Sequence, residues 1–172
     1  MNNPLKVESK PVVTRPAELS DLPEISRLHA RAFGPGRFAR TAYRVREGRT
    51  PISPYCRVAV ANETIIAALR FTEISIGGTG GALLLGPLAV DPAFANRGYG
   101  RQLIAEGLDL ARSNNIALIV LVGDEPYYAR FGFKPMPPGS ITFPGPVNPA
   151  RILALECRTG AADELRGLIQ AA

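Results

Sequence analysis

The chain has 172 residues, 46% of them hydrophobic and 20% charged, with 20 Lys and Arg against 15 Asp and Glu and a formal net charge of +5. That length suits one core-forming domain, and the composition is that of an ordinary globular protein. The basic residues are too dispersed for a nucleic-acid interface, the apolar runs are too short for a membrane span, and a single histidine, His29, excludes a histidine-rich metal site.

Met1 to Lys10 is polar and lacks the charged-then-apolar order of a signal peptide, so a cytoplasmic setting is expected. Cys56 and Cys157 lie far apart and outside any metal-like spacing, and two reduced thiols suit that setting. Residues 1–12 read as a polar tail, 13–158 as the domain, and 159–172 as a C-terminal helix packed on it.

Val12 to Arg15 is the first short strand. Ser20 is the predicted N-cap of a helix with Asp21 and Pro23 in its first turn. Ile25, Leu28, His29, Ala32 and Phe33 follow at helical spacing until Gly34-Pro35-Gly36 stops them. A second, basic helix is expected from Arg37 to Glu47. Arg57 to Ala61 and Thr64 to Ile76 read as a hairpin around Asn62-Glu63. Gly77 to Gly81 turns into Ala82 to Val90, apolar on both faces as a central strand is.

A helix then begins near Gly98, with Gly100, Leu103, Ile104, Gly107, Leu108 and Ala111 on its inward face. Asn114-Asn115 ends it, and Ile116 to Val122 is a second fully apolar strand. Asp124 is placed to cap a short helix with Pro126 in its first turn. Lys134 to Pro149 is a proline- and glycine-rich loop, Arg151 to Cys157 the last strand, and Ala161 to Gln170 a terminal helix. The order predicts an α/β protein of α+β type. Its central sheet is mixed and mostly antiparallel, with helices on both faces and one right-handed strand–helix–strand crossover whose two strands are parallel.

The chemistry concentrates between Leu85 and Phe133. In Val90-Asp91-Pro92-Ala93-Phe94-Ala95-Asn96-Arg97-Gly98-Tyr99-Gly100-Arg101, a buried strand runs through a loop directly into an amphipathic helix. The first amides of a helix lack intrahelical partners and lie at its positive end. Gly98 and Gly100 let an anion approach that backbone, and Arg97 and Arg101 add charge, which makes a phosphate or diphosphate cradle. Alone the signal is weak, since two glycines also serve as caps or packing residues, and the spacing fits neither a P-loop nor the dinucleotide fingerprint. Upstream, Gly86-Pro87 interrupts an otherwise central strand and should disturb its pairing. Free backbone groups there could pair with an extended amide-bearing ligand such as pantetheine, the arm of coenzyme A. Downstream, Asp124-Glu125-Pro126-Tyr127-Tyr128-Ala129-Arg130-Phe131-Gly132-Phe133 places two tyrosines on a short helix.

Strand, Val-Asp-Pro, Arg-Gly-x-Gly, helix, apolar strand and Tyr-x-Arg-Phe-Gly-Phe, in that order, resemble the GNAT superfamily of N-acetyltransferases, over about Val13 to Cys157. The resemblance implies a GNAT-like fold in which residues 13–158 are an acetyltransferase domain. It further implies that acetyl-CoA is a cosubstrate, that no metal is needed, and that the acceptor is a small-molecule amine or a protein terminus. Neither nucleic acid nor membrane is an expected partner, and homodimers are common in the family. By the same resemblance, Asn96, Arg97, Gly98, Tyr99, Gly100 and Arg101 hold the coenzyme A diphosphate. Leu88, Ala89 and Val90 lie beside the pantetheine and acetyl groups, and amides there face the oxyanion. Ala95 stands where the family usually carries Gln or Arg, which removes a side-chain contact but not the backbone cradle.

Tyr128, five residues before Phe133, matches the family's general acid. The simpler alternative is a core aromatic bonded to the sheet, and Tyr127 reads as a structural or wall residue. Ala82 to Val90 contains no carboxylate, so Glu73 is the remaining candidate base, Glu125 a weaker one, and an exposed hairpin position the simpler reading of Glu73; an ordered water chain, or no dedicated base at all, fits the sequence equally. His29 reads as a packing residue. Arg37, Arg40, Arg44, Arg46 and Arg49 read most simply as a solvated basic face, and more sharply as a lure for an acceptor bearing carboxylate or phosphate. The expected activity is acetyl transfer from acetyl-CoA to a primary amine by direct attack in a ternary complex. The alternatives are a non-catalytic acyl-CoA sensor and a phosphate-binding protein unrelated to coenzyme A.

Overall fold

The computed structural model describes residues 11–34, 41–48 and 50–172. The tail up to residue 10 and Arg37, Arg40 and Arg49 lie outside the described residues. Asn62 and Glu63 both adopt positive φ, 48° and 64°, and fold β2 (Arg57–Ala61) onto β3 (Thr64–Ile76). Turns of that hand match the twist of the strands they join. β1 (Val13–Pro16) lines the outer edge of β2, and β4 (Thr79–Val90) pairs antiparallel with the other edge of β3. These are the predicted strands, with the first displaced by one residue and β4 starting three residues earlier, at Thr79 within the expected glycine turn.

The predicted crossover follows. β4 leads through α3 (Tyr99–Ser113) to β5 (Leu118–Val122), which lies parallel to it. The buried residues of α3 are Gly100, Leu103, Ile104, Gly107, Leu108 and Ala111, the face read from the spacing. Burying Leu103 and Ile104 against Phe71, Leu83 and Ile119 contributes about 1.5–3 kcal/mol for each side chain. β8 (Ile152–Glu156) pairs antiparallel with β5, and the two-residue strand β6 (Lys134–Pro135) pairs with β8. The proline-rich segment is otherwise loop, apart from the two-residue β7 (Ile141–Thr142).

On the opposite face lies α1 (Leu22–Phe33), whose Leu28 packs with Val58, Ala68 and Ala89. Ser20 is not its cap: Leu19–Asp21 forms a single 3₁₀ turn, and Asp21 stands at the N-cap of α1. The Asp21 carboxylate is committed elsewhere, accepting two hydrogen bonds from Arg15 at 2.7 and 2.9 Å and one from the Glu18 amide at 2.8 Å. That pairing, the Arg15 bond above all, holds the Asp21 carboxyl below its ordinary range and ties α1 to β1. α2 (Thr41–Arg46) contributes Val45 to a cluster with Ile74, Leu84 and Val120.

The expected C-terminal helix over 161–170 is corrected by the fold. Only α5 (Ala161–Glu164) is helical, and the chain then extends as β9 (Gly167–Ala171), antiparallel to β3 and parallel to β7. Ile74 to Ile76 of β3 project beyond β2 and leave ladder groups that β9 satisfies. Ile169 is buried there while its neighbours Leu168 and Gln170 stay exposed, the period-two pattern of a strand. The nine strands of the described residues form one mixed sheet.

Candidate active site

β4 and β5 stay together only where Ala82 to Leu84 face Leu118 to Val120. Immediately beyond, Phe71 pairs with Leu85 and Leu69 with Leu88, so Arg70 alone faces both Gly86 and Pro87. This is a β-bulge, and its sequence explains it. Gly86 has φ 116°, which a side chain rarely permits, and Pro87 has no N–H for the ladder. A bulge bends its strand. From Leu85 to Val90 the edge of β4 toward β5 has no strand partner among the described residues. A cleft of ≈630 Å³ fills the gap, lined by Leu85, Gly86 and Leu88 of β4, Val122 and Gly123 at the end of β5, and Tyr128.

At the far end of β4, Asp91 accepts a hydrogen bond from the Ala93 amide at 3.0 Å and shapes the exit. Asn96 and Gly98 then take positive φ, 61° and 86°. No side chain caps Gly98, and the first helical bond runs from Gln102 N–H to the Gly98 carbonyl at 3.0 Å. The amides of Tyr99, Gly100 and Arg101 precede that bond and have no partner within the helix. Arg97 lies over the Phe94 ring at 5.3 Å, which holds its guanidinium beside the loop.

Gly100 is where the predicted residues converge. A Cβ there would stand 3.3 Å from Leu88 Cδ2 and 3.5 Å from both Val90 Cγ2 and the Tyr127 hydroxyl. Ala89 alternates to the other face and packs with Leu28, so only its backbone lies on this side.

α4 (Glu125–Tyr128) places Tyr128 over the gap. Its ring meets Tyr127 edge-on at 4.9 Å and Phe133 at 5.9 Å, while its hydroxyl has no hydrogen bond to a described residue. The core alternative required such a bond to the sheet. Burial first, then Tyr127 and Asp124, pushes the phenol up to about 12 against the opposing charge of Arg151. Asp124 does not cap α4 with its side chain, which pairs with Arg151 at 3.3 Å.

Two sequence expectations fare differently. Glu73 is exposed opposite Leu83, and its carbonyl accepts from Ala172 N–H; the carboxylate lines neither the cleft nor the cavity described next. Glu125 is exposed as well and lines neither. His29 packs on Phe33 at 5.7 Å, as a packing residue would, but also lines a second, mostly apolar cavity of ≈210 Å³ with Ile25, Ile52 and Pro87.

Arg46 and Phe33 border both spaces. Within the basic stretch, Arg44 is exposed and Arg46 is buried, which corrects the reading of a uniformly solvated face. Sequence reasoning also missed Gly123, Asn148 and Arg151 as cleft residues; Gly123-Asp124 directly after an apolar strand was the available signal. The proline-rich loop reaches the cleft through Pro146, Val147 and Asn148. Among the described residues no group of three His, Cys, Asp or Glu could hold a metal, and no helix is long and apolar enough to cross a membrane.

The family model for the acetyltransferase (GNAT) domain matches residues 54–135. The chain is 32% identical to the N-acetyltransferase YhbS of Escherichia coli (strain K12) over 117 residues, 66% of this chain and 68% of that one. It belongs to the GNAT acetyltransferases. Among solved GNAT structures, that of Escherichia coli YhbS in complex with CoA superposes with TM-score 0.76 at 25% identity, covering 94% of this chain and 89% of that one. A GNAT acetyltransferase from Brucella melitensis in complex with acetyl-CoA gives TM-score 0.63 at 28% identity, covering 85% and 96%. The GNAT architecture, a mixed and mostly antiparallel sheet with β4 and β5 parallel and helices flanking it, is thus shared along nearly the whole chain.

Proposed function

We propose that this GNAT chain transfers the acetyl group of acetyl-CoA to a primary amine, by direct attack within a ternary complex. The parting of β4 from β5 carries the reading. It offers an unpaired strand edge for an amide-bearing arm, and that edge leads to the uncapped start of α3. Acetyl-CoA, a cosubstrate, fits the arrangement at both ends. The amides of Tyr99, Gly100 and Arg101, with Arg97 and the turn at Asn96 and Gly98, take the diphosphate. Leu88, Val90 and the backbone of Ala89 take the pantetheine. The CoA and acetyl-CoA complexes of the two related structures support this cosubstrate.

The chemistry follows from the groups present. The neutral amine attacks the thioester carbonyl, and charge gathers on the oxygen, where backbone amides of the β4 edge can meet it. The C–S bond then breaks, and the leaving sulfur takes the Tyr128 hydroxyl proton. A phenol raised to about 12 is fully protonated at neutral pH and able to donate. The cavity that holds His29 supplies no carboxylate, and Asp124 in the cleft is paired with Arg151; the amine proton leaves to water, water returns a proton to the Tyr128 phenolate, and most of the rate comes from positioning.

The absence of a carboxylate from that cavity favours the second reading, an acyl-CoA sensor without turnover. The open Tyr128 hydroxyl favours the enzyme. Calorimetric titration of the full chain with acetyl-CoA tests binding, and coenzyme release with a panel of amines tests transfer. Binding without release for every amine would leave the sensor; no binding at millimolar acetyl-CoA overturns both.

A further inference from the structure

Arg46 is 7% exposed, and its Nε has no hydrogen-bond partner. No carboxylate among the described residues forms an ion pair with it. An unpaired guanidinium taken out of water is costly, and native folds seldom keep one without a counter-charge. Burial, with the like charge of Arg70 second, pulls Arg46 down to about 9. A guanidinium nonetheless stays charged at neutral pH. The side chain therefore lacks an anion, and its surroundings indicate where one enters.

Its Nη2 lies 3.4 Å from the position a Cβ would occupy on Gly86, at the bulge that parts β4 from β5. Arg46 thus stands on the wall shared by the wide cleft and the ≈210 Å³ cavity beneath α1. Arg70, facing the bulge from β3, lines the same small cavity and adds positive charge. The rest of that lining is mainly apolar, including Leu22, Ile25, Phe33 and Ile52. A ligand suited to this space has an apolar body and one compact anionic group, and a carboxylate matches the planar fork of an arginine.

We propose that Arg46 anchors the acceptor, and that the acceptor is a small amine bearing an apolar body and a carboxylate, an apolar amino acid or a short derivative of one. The assignment rests on the acetyl-transfer reading above and names its acceptor class. The anchored carboxylate would hold the amine at the bulge, between the apolar cavity and the cleft that takes the thioester.

The test uses the full chain with acetyl-CoA and matched acceptors: leucine, methionine and phenylalanine against their amides. Acetyl-CoA binding by calorimetry, together with coenzyme release on the wider amine panel, keeps failure of the acetyl-transfer reading distinct from failure of this one. Release with other amines but none of these acids overturns this assignment alone, whereas binding without release for any amine is the sensor. The free acids should be preferred about ten- to hundredfold in kcat/KM, the size of a charge-assisted hydrogen bond. Arg46→Gln should erase that preference through acceptor KM and leave acetyl-CoA affinity essentially unchanged, and Arg46→Lys should restore part of it. Removing an unpaired buried cation should not lower Tm. Should Arg46→Gln fail to fold, the acid-to-amide ratio of the unaltered chain decides. Amides that serve as well as acids, or an Arg46→Gln loss equal for acids and amides, would overturn the assignment, as would acetyl-CoA binding with no turnover of any of the six acceptors.

Discussion

Gly123, the residue after β5, is pressed against the ring of Tyr128: a Cβ at Gly123 would stand 2.6 Å from Cε2 and 3.1 Å from Cδ2 of that tyrosine. The absence of a side chain at the strand end lets the phenol lie over the gap between β4 and β5.

Gly123→Ala should therefore displace the Tyr128 ring rather than unfold the chain. A shift near 1 Å in a catalytic group costs on the order of 100-fold, so kcat should fall by roughly ten- to hundredfold, with a smaller change in acetyl-CoA affinity. Steady-state kinetics paired with calorimetry separates the two. Undiminished turnover would mean that the placement of Tyr128 does not govern the reaction.

Tyr128→Phe removes the proposed proton donor and keeps the packing. Positioned acids contribute about 10²–10⁴-fold, and the low end applies here because a thiolate is already a good leaving group. The acid works while protonated, so with the phenol at about 12 its contribution is complete at neutral pH and is lost only as pH rises through that value. The profile of kcat/KM should rise as the amine loses its proton and should not turn down by about pH 10, the ordinary tyrosine value. A descending limb near pH 8–9 that vanishes in Tyr128→Phe would contradict the raised phenol.

Gly98→Ala tests the cradle. Space is open around Gly98, with only the flexible Arg101 end 3.9 Å from an added Cβ, so the cost is the left-handed backbone at φ 86°. Holding alanine there costs about 1–2 kcal/mol. The loop should relax and acetyl-CoA affinity drop roughly five- to thirtyfold. Equal affinity in calorimetry would move the diphosphate elsewhere.

Gly107→Ala tests the packing that seats α3. In an open helix the change would add about 1 kcal/mol of stability. Here the new methyl would lie 2.7 Å from Cζ of the fully buried Phe71. Overpacking of that kind costs about 1–3 kcal/mol, which for a chain this long lowers Tm by roughly 3–10 °C. Thermal denaturation of Gly107→Ala with and without Phe71→Leu checks it: the double variant should recover part of the loss.

Much of the site was legible locally. The inward face of α3, the turn at Asn62-Glu63, the glycine-rich entry to α3 and the break at Gly86-Pro87 are all properties of neighbouring residues. Their physics is one of spacing, positive φ and missing N–H groups, which no distant contact needs to supply. The motif order could be read for the same reason, and so could Tyr128 as the residue placed over the cleft.

What depended on distant partners could not be read that way. The 161–170 segment carries a helical pattern, yet its second half became β9 because the end of β3 offered unpaired ladder groups. Glu73 looked available along the chain and is exposed beside Leu83, while Arg46, one of five arginines in a basic stretch, is the one buried beside Gly86. Burial and counter-charge belong to the assembled sheet and helices rather than to any window of residues. The sequence by itself determined strands β1 to β5 and β8, the helix α3 and its glycine-rich entry; only tertiary packing decided the fate of the C-terminal segment and which charge lost its water, because ladder pairing and desolvation depend on what folds against a residue from elsewhere in the chain.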